Sequence, residues 1–162
     1  MKKGNKQSGF SILEIIVIVF IVSLGLLGIL SLTTQNIRVQ YINKNNLIAS
    51  QLAQEGLELV RNIRDTNWTI EGSNWDTGLS AGTFKIDFDD NALQASSMED
   101  AKLYIDGSGR YQHSILTATN FNRLITISNM NPDNFTITCE VQWRERNNTF
   151  KYIAETVLYD WR

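Results

Sequence analysis

The stretch from Phe10 to Leu32 constrains this chain more than any other. Of its 23 residues, 17 are Ile, Leu, Val or Phe, and Glu14 is the one charge among them. At about 1.5 Å per residue, a helix of this length crosses the roughly 30 Å hydrocarbon layer of a bilayer. Lys2, Lys3 and Lys6 precede the run without an acidic residue, and the next basic side chain behind it is Arg38. The basic leader is therefore expected to stay cytoplasmic, which makes the protein single-pass with its C-terminal bulk exported. A secretory signal has an apolar core of about 7–15 residues followed by a small-x-small cleavage site. Here the run is longer and ends in Ser31-Leu32-Thr33-Thr34, so cleavage behind it is not expected.

Glu14 needs an explanation, because a carboxylate in a transmembrane helix costs about 2.5–3.5 kcal/mol at the centre and less near an end. One explanation is local: in the first turns the positive end of the helix dipole favours an anion and the interface is within reach. The other starts from the leader. A cut between Gly9 and Phe10 would create an α-amino group on Phe10, four positions before Glu14 and on the same helical face. Amine and carboxylate would then pair inside the apolar layer.

Gly9, Phe10, Glu14 and the apolar helix behind them resemble the N-terminus of a type IV prepilin, the precursor of pilins and pseudopilins. That family has a short basic leader ending in Gly, then Phe, a Glu at the fifth mature position and about twenty apolar residues. The resemblance implies that a membrane-embedded prepilin peptidase cuts after Gly9 and N-methylates Phe10. It implies that Glu14 is an assembly contact, neutralising the Phe10 amine of a neighbouring subunit; a pairing within one chain is equally open. Opposite charges that are poorly tolerated singly in low dielectric are favoured as a well-placed pair. Implied partners are the peptidase, other pilin or pseudopilin subunits, the filament assembly platform and the membrane.

Length fits this reading. The chain has 162 residues, and those after the long helix suffice for one modest domain. Periodicity extends the helix past the membrane: Ile42, Ala49, Leu52, Ala53, Gly56, Leu57, Val60 and Ile63 continue one apolar face with no intervening proline. The expected organisation is a leader over 1–9, a transmembrane helix over 10–32, an amphipathic continuation over 33–64, and an antiparallel sheet domain over 65–162. This is an α+β, pilin-like fold, with the upper helix packed on the sheet. Gly25, Gly28 and Ser31 form a small-residue stripe, read either as close helix packing or as ordinary tolerance of glycine in membranes. Many pilins carry a proline in this helix, and this chain departs from them there.

From Asp65 to Gly82 the composition reads as loop, with Trp68 and Trp75 expected to pin it to the domain. Phe84, Ile86 and Phe88 alternate with Lys85 and Asp87 as a first strand. Leu103–Ile105 and Tyr111 onward flank Asp106-Gly107-Ser108-Gly109-Arg110, a hairpin turn. Phe121, Arg123, Ile125 and Ile127 share one face of the next strand; Phe135, Ile137, Cys139, Val141 and Trp143 share one face of the following one. A turn at Arg144–Asn148 leads into a last strand over Thr149–Leu158. Gln54-Glu55-Gly56-Leu57-Glu58 late in the helix, Phe121-Asn122-Arg123-Leu124-Ile125, and Trp143 with the final Asp160-Trp161 resemble the V-type minor pilins, or pilus modification proteins.

Chemistry-bearing constellations are few. His113 is the only histidine, stands in a polar segment without a Cys or carboxylate at ligand spacing, and reads as solvated rather than as a zinc ligand. Cys139 is the only cysteine, so no intrachain disulfide can form; it reads as a buried, inert thiol. Asp87, Asp89, Asp90, Asn91, Glu99 and Asp100 lack the alternating register of a calcium loop. Three Asn-x-Thr tripeptides, at Asn67, Asn134 and Asn147, carry little weight in a chain with a prepilin-type leader. With a net charge of −2 and no basic patch, direct nucleic-acid binding is not expected. The sequence thus points to a non-enzymatic minor pilin or pseudopilin without cofactor or metal, serving initiation, capping or modification of a pilus, secretion or DNA-uptake filament. The alternative is an uncleaved single-pass protein whose exported β domain binds a ligand or surface.

Overall fold

The computed structural model of the protein describes residues 9, 11–114 and 116–161. Helix α1 spans Ile12–Thr69. The chain divides into two compact units, one ending at Asn43 and one beginning at Lys44. In the first, every described side chain through Tyr41 is exposed, including the whole Ile/Leu/Val/Phe run. This helix is long and apolar enough to cross a membrane. Two of its hydroxyls are satisfied internally: Ser23 Oγ donates to the Val19 carbonyl at 2.7 Å and Thr33 Oγ1 to that of Ile29 at 2.9 Å, which suits them to an apolar medium.

In the second unit α1 buries one stripe, Ala49, Leu52, Ala53, Gly56, Leu57 and Val60, and then continues it with Arg64 and Asn67. The helix therefore runs five residues past the expected end at Arg64, and Asp65–Thr69, Trp68 included, are helical rather than loop. The boundary was hidden because the inward positions change from apolar to polar residues while keeping helical spacing. Asn67 explains why a polar group is used there: its Nδ2 donates to the carbonyls of Trp75 at 3.0 Å and Thr77 at 2.8 Å, tying down the following loop.

The loop feeds an antiparallel sheet of seven strands: β1 Gly82–Lys85, β2 Gln94–Ala95, β3 Lys102–Ile105, β4 Tyr111–Gln112, β5 Thr117–Asn131, β6 Asn134–Glu145 and β7 Asn148–Tyr159. β1 ends at Lys85, so Ile86, Asp87 and Phe88 lie beyond the strand that alternation assigned to them. β5 is the organising strand. Along one edge it pairs with β6, from Phe121↔Trp143 to Asn131↔Asn134. Along the other it is shared: β3 takes its first part, Ile105↔Thr117 to Lys102↔Asn122, and β1 its later part, Phe84↔Ile125 to Gly82↔Ile127. β7 pairs only with β6, in unbroken register from Glu145↔Asn148 to Asn134↔Tyr159.

The helix stripe and one sheet face form the core. Ile125, Ile127, Phe135, Ile137, Cys139 and Val141 are buried there, as period-two patterning required. Aromatic rings run across it: Phe121 meets Trp143 at 6.0 Å between centroids, and Trp143 stacks on Phe150 at 5.6 Å. Trp75 stacks on Phe135 at 5.0 Å and does pin the loop. Trp68, from the last helical turn, meets Trp161 edge-on and lies under the Arg64 guanidinium.

Candidate functional site

Two places hold the charges that need explanation. At the N-terminus, Gly9 is exposed with open space around its Cα, Ser11 precedes the helix, and Glu14 lies in the first turn of α1. Phe10, expected as the new N-terminal residue, lies outside the described residues, as do Lys2, Lys3 and Lys6 of the leader. Glu14 is thus an exposed carboxylate on an otherwise apolar helical surface, at the end where the backbone dipole favours an anion. Gly25 and Gly28 also face open space.

The second place is inside the sheet domain, at the fork where β1 and β3 part along β5. The β5 edge is left without a strand partner near Arg123, and the backbone N–H of Arg123 donates to the Ala101 carbonyl at 2.9 Å. The Arg123 side chain is fully buried. Its Nη1 lies 3.0 Å from Glu55 Oε1 on α1, and Nη2 donates to the Ile86 carbonyl at 2.7 Å, just beyond β1. Asp87 Oδ1 stands 4.0 Å from the same Nη2. A buried guanidinium is tolerable only with such partners, and here they come from two separate segments, α1 and the stretch just beyond β1. Glu55 and Arg123 thereby join the two motifs, Gln54–Glu58 and Phe121–Ile125, that sequence inspection singled out separately.

Asp87 carries the network to His113. The backbone N–H of His113 donates to both Asp87 carboxylate oxygens, at 2.9 and 2.8 Å, and ring Nδ1 lies 2.6 Å from Oδ1. Burial pushes the Asp87 carboxyl up, but the His113 hydrogen bonds and the His113 and Arg123 charges prevail and hold it below its ordinary value. The expectation of a solvated His113 is therefore corrected: its side chain is 5 % exposed, against an 11 % exposed Asp87. Local spacing could not reveal the pair, since the two are 26 residues apart. Asp87 is likewise an inward residue, although strand alternation set it with Lys85 on the polar face.

Gly56 brings the helix down onto this region. A Cβ there would lie 2.7 Å from Cys139 Sγ and 3.4 Å from Arg123 Cδ, so the absence of a side chain sets the spacing between α1 and the sheet. Cys139 is fully buried, and burial pushes its thiol up to about 12, which keeps it protonated and unreactive. Asp106 holds the β3–β4 turn instead of a cation. Its Oδ1 accepts from the N–H groups of Ser108 and Arg110 at 2.8 and 2.9 Å, with Gly109 at φ +83°. Among the described residues no three of His, Cys, Asp and Glu gather where a metal could be held. The interior cluster is an electrostatic joint between helix and sheet, whereas Gly9 and Glu14 are exposed.

Compared with known proteins, the chain matches no family model, no curated protein and no solved structure.

Proposed function

We propose that this chain is a minor pilin or pseudopilin, a non-enzymatic filament subunit made as a membrane-anchored precursor. A prepilin peptidase removes residues 1–9 on the cytoplasmic side and methylates the new amine of Phe10. The apolar half of α1 then anchors the subunit in the cytoplasmic membrane with the sheet domain exported. On assembly it passes into the core of a pilus or pilus-like secretion or DNA-uptake filament, at the cell surface or in the periplasm. There it serves initiation, capping or modification, beside other pilin-type subunits and the assembly platform.

The observation that carries this reading is Glu14. It is the one charge between Lys6 and Arg38, it lies in the first turn of a helix whose apolar surface is exposed all round, and it follows Gly9 at the spacing a prepilin uses. An amine at Phe10 four residues away, on the same chain or a neighbour, gives that carboxylate a partner in low dielectric.

Intact mass and N-terminal sequencing of the membrane-extracted protein, expressed with and without a prepilin peptidase, test it. A chain beginning at methylated Phe10 only when the peptidase is present is the expected result. An unprocessed start in a host whose peptidase is verified active refutes the reading, and leaves an uncleaved single-pass protein with an exported binding domain.

A further inference from the structure

β7 leaves one long edge open. Its twelve residues pair with β6 on one side and with no other strand among the described residues on the other. Natural sheets blunt such edges with bulges, proline or several lysines. β7 has an uninterrupted register and no proline, and Lys151 is its single lysine. At the opposite side of the sheet the outer strands β2 and β4 are only two residues each, too short to template another chain.

The direction of the free groups follows from pairing. The Asp160 N–H donates to the Asp133 carbonyl at 2.8 Å, in the same register as Asn134↔Tyr159. Hydrogen-bonded and non-hydrogen-bonded pairs alternate along an antiparallel ladder. Even-numbered residues of β7 therefore direct their N–H and C=O toward β6, and Thr149, Lys151, Ile153, Glu155 and Val157 direct theirs outward. The side chains of these five share the solvent face of the sheet and are exposed, Ile153 by 47 % and Val157 by 38 %.

We infer that this edge docks a second copy of the same chain, β7 against β7, antiparallel about a twofold axis at Ile153. In that register Lys151 of each copy stands opposite Glu155 of the other, Ile153 meets Ile153, and Thr149 meets Val157. Neither Lys151 nor Glu155 has an ion-pair partner among the described residues; Glu155 only accepts from Thr138 Oγ1 at 3.2 Å. On the core face Phe150 comes opposite Thr156, and Tyr152 opposite Ala154, so the buried layer also continues across the axis. Alternatives are worse. Centring the axis on Lys151 or on Glu155 opposes like charges, and centring it on Tyr152 or Ala154 sets both charges against uncharged residues. The Ile153 register alone forms both ion pairs, and it uses nearly the whole strand. Self-complementarity of this kind is what a twofold interface requires. The inference does not depend on the filament reading.

Cysteine cross-linking of the full chain in detergent, with copper phenanthroline as oxidant, tests both occupant and register. A hydrogen-bonded antiparallel pair has Cα atoms about 5.5 Å apart, within disulfide reach. Ile153→Cys is expected to give a disulfide dimer. Val157→Cys, whose two copies would lie about 27 Å apart along the strands, is expected to link at least about tenfold more slowly. In the Ile153→Cys chain, Lys151→Glu is expected to weaken the dimer about tenfold, and adding Glu155→Lys to restore it. An Ile153→Cys chain that stays monomeric, equal linking at position 157, failure of the double reversal to restore, or linking in cells to a different protein overturns the inference.

Discussion

Gly56 offers the sharpest quantitative test of how helix and sheet are joined. In Gly56→Ala the added methyl starts 2.7 Å from Cys139 Sγ, with Arg123 Cδ at 3.4 Å and Ile125 Cδ1 at 3.5 Å behind it. Comfortable contact needs about 3.5–4.0 Å, so a sulfur fixed on a central strand must retreat by about 1 Å. Overpacking of this size costs about 1–3 kcal/mol, while Ala regains about 1 kcal/mol of helix propensity, leaving a net loss near 1 kcal/mol. Cys139→Ala alone removes a buried sulfur and is expected to cost about 1–2 kcal/mol. In the double variant the new methyl occupies the space the sulfur left, and stability is expected to return to within about 1 kcal/mol of the parent, a coupling of about 2 kcal/mol. Urea unfolding of the full chain in detergent, followed by fluorescence of the buried Trp75 and Trp143, reads the midpoints. A double variant that loses the sum of the two singles would refute the contact.

Other expectations follow from the interior network. Arg123→Ala strands Glu55 and opens a cavity, and is expected to cost about 3–5 kcal/mol, whereas Arg123→Met fills the space without charge and is expected to cost clearly less in the same urea assay. Asp87→Asn is expected to destabilise in a pH-dependent way. Because the folded carboxyl titrates below its ordinary 3.8, the ionised group contributes its full stabilisation above that value and loses it as pH falls through the lower folded one. The gap between parent and variant midpoints should therefore be full near neutrality and close in acid; a gap that widens in acid contradicts the assignment. Cys139 should resist maleimide until the sheet unfolds in urea, as mass spectrometry would record. Trp75→Ala should leave the sheet folded yet open the loop over 70–81 to proteolysis, since it removes the stack on Phe135.

The contrast between what was legible and what was not has a physical basis. Ala49 to Val60 and Phe135 to Trp143 were readable because burial of a helix or strand face imposes its own period on the sequence. Arg64 and Asn67 obey the same period, yet their polarity concealed it, and with it the last turns of α1. Asp87 and His113 were misread for another reason: each is polar and locally unremarkable, and only the fork in the β5 edge brings them together. Glu55 and Arg123 were noticed as members of separate motifs, but their pairing is a property of the fold. At the N-terminus the reverse holds. Gly9 and Glu14 acquire meaning from adjacency to an apolar run, which sequence displays directly, and the structure adds an exposed glycine and a first-turn carboxylate.

The sharing of β5 by three neighbours also governs how the domain can come into being. Leu52, whose carbonyl accepts from Arg123, is separated from it by 71 residues. A chain growing from its N-terminus therefore presents the inward stripe of α1 long before any strand exists to cover it, and β1 and β3 wait together for the one strand that both require. Order should then arrive late and nearly at once, with the emergence of β5 and the β6–β7 hairpin behind it, and loop closure across that interval should limit its rate. Until that moment the stripe from Ala49 to Val60 is uncovered apolar surface, so truncation within the last forty or so residues should yield aggregates rather than a smaller folded domain.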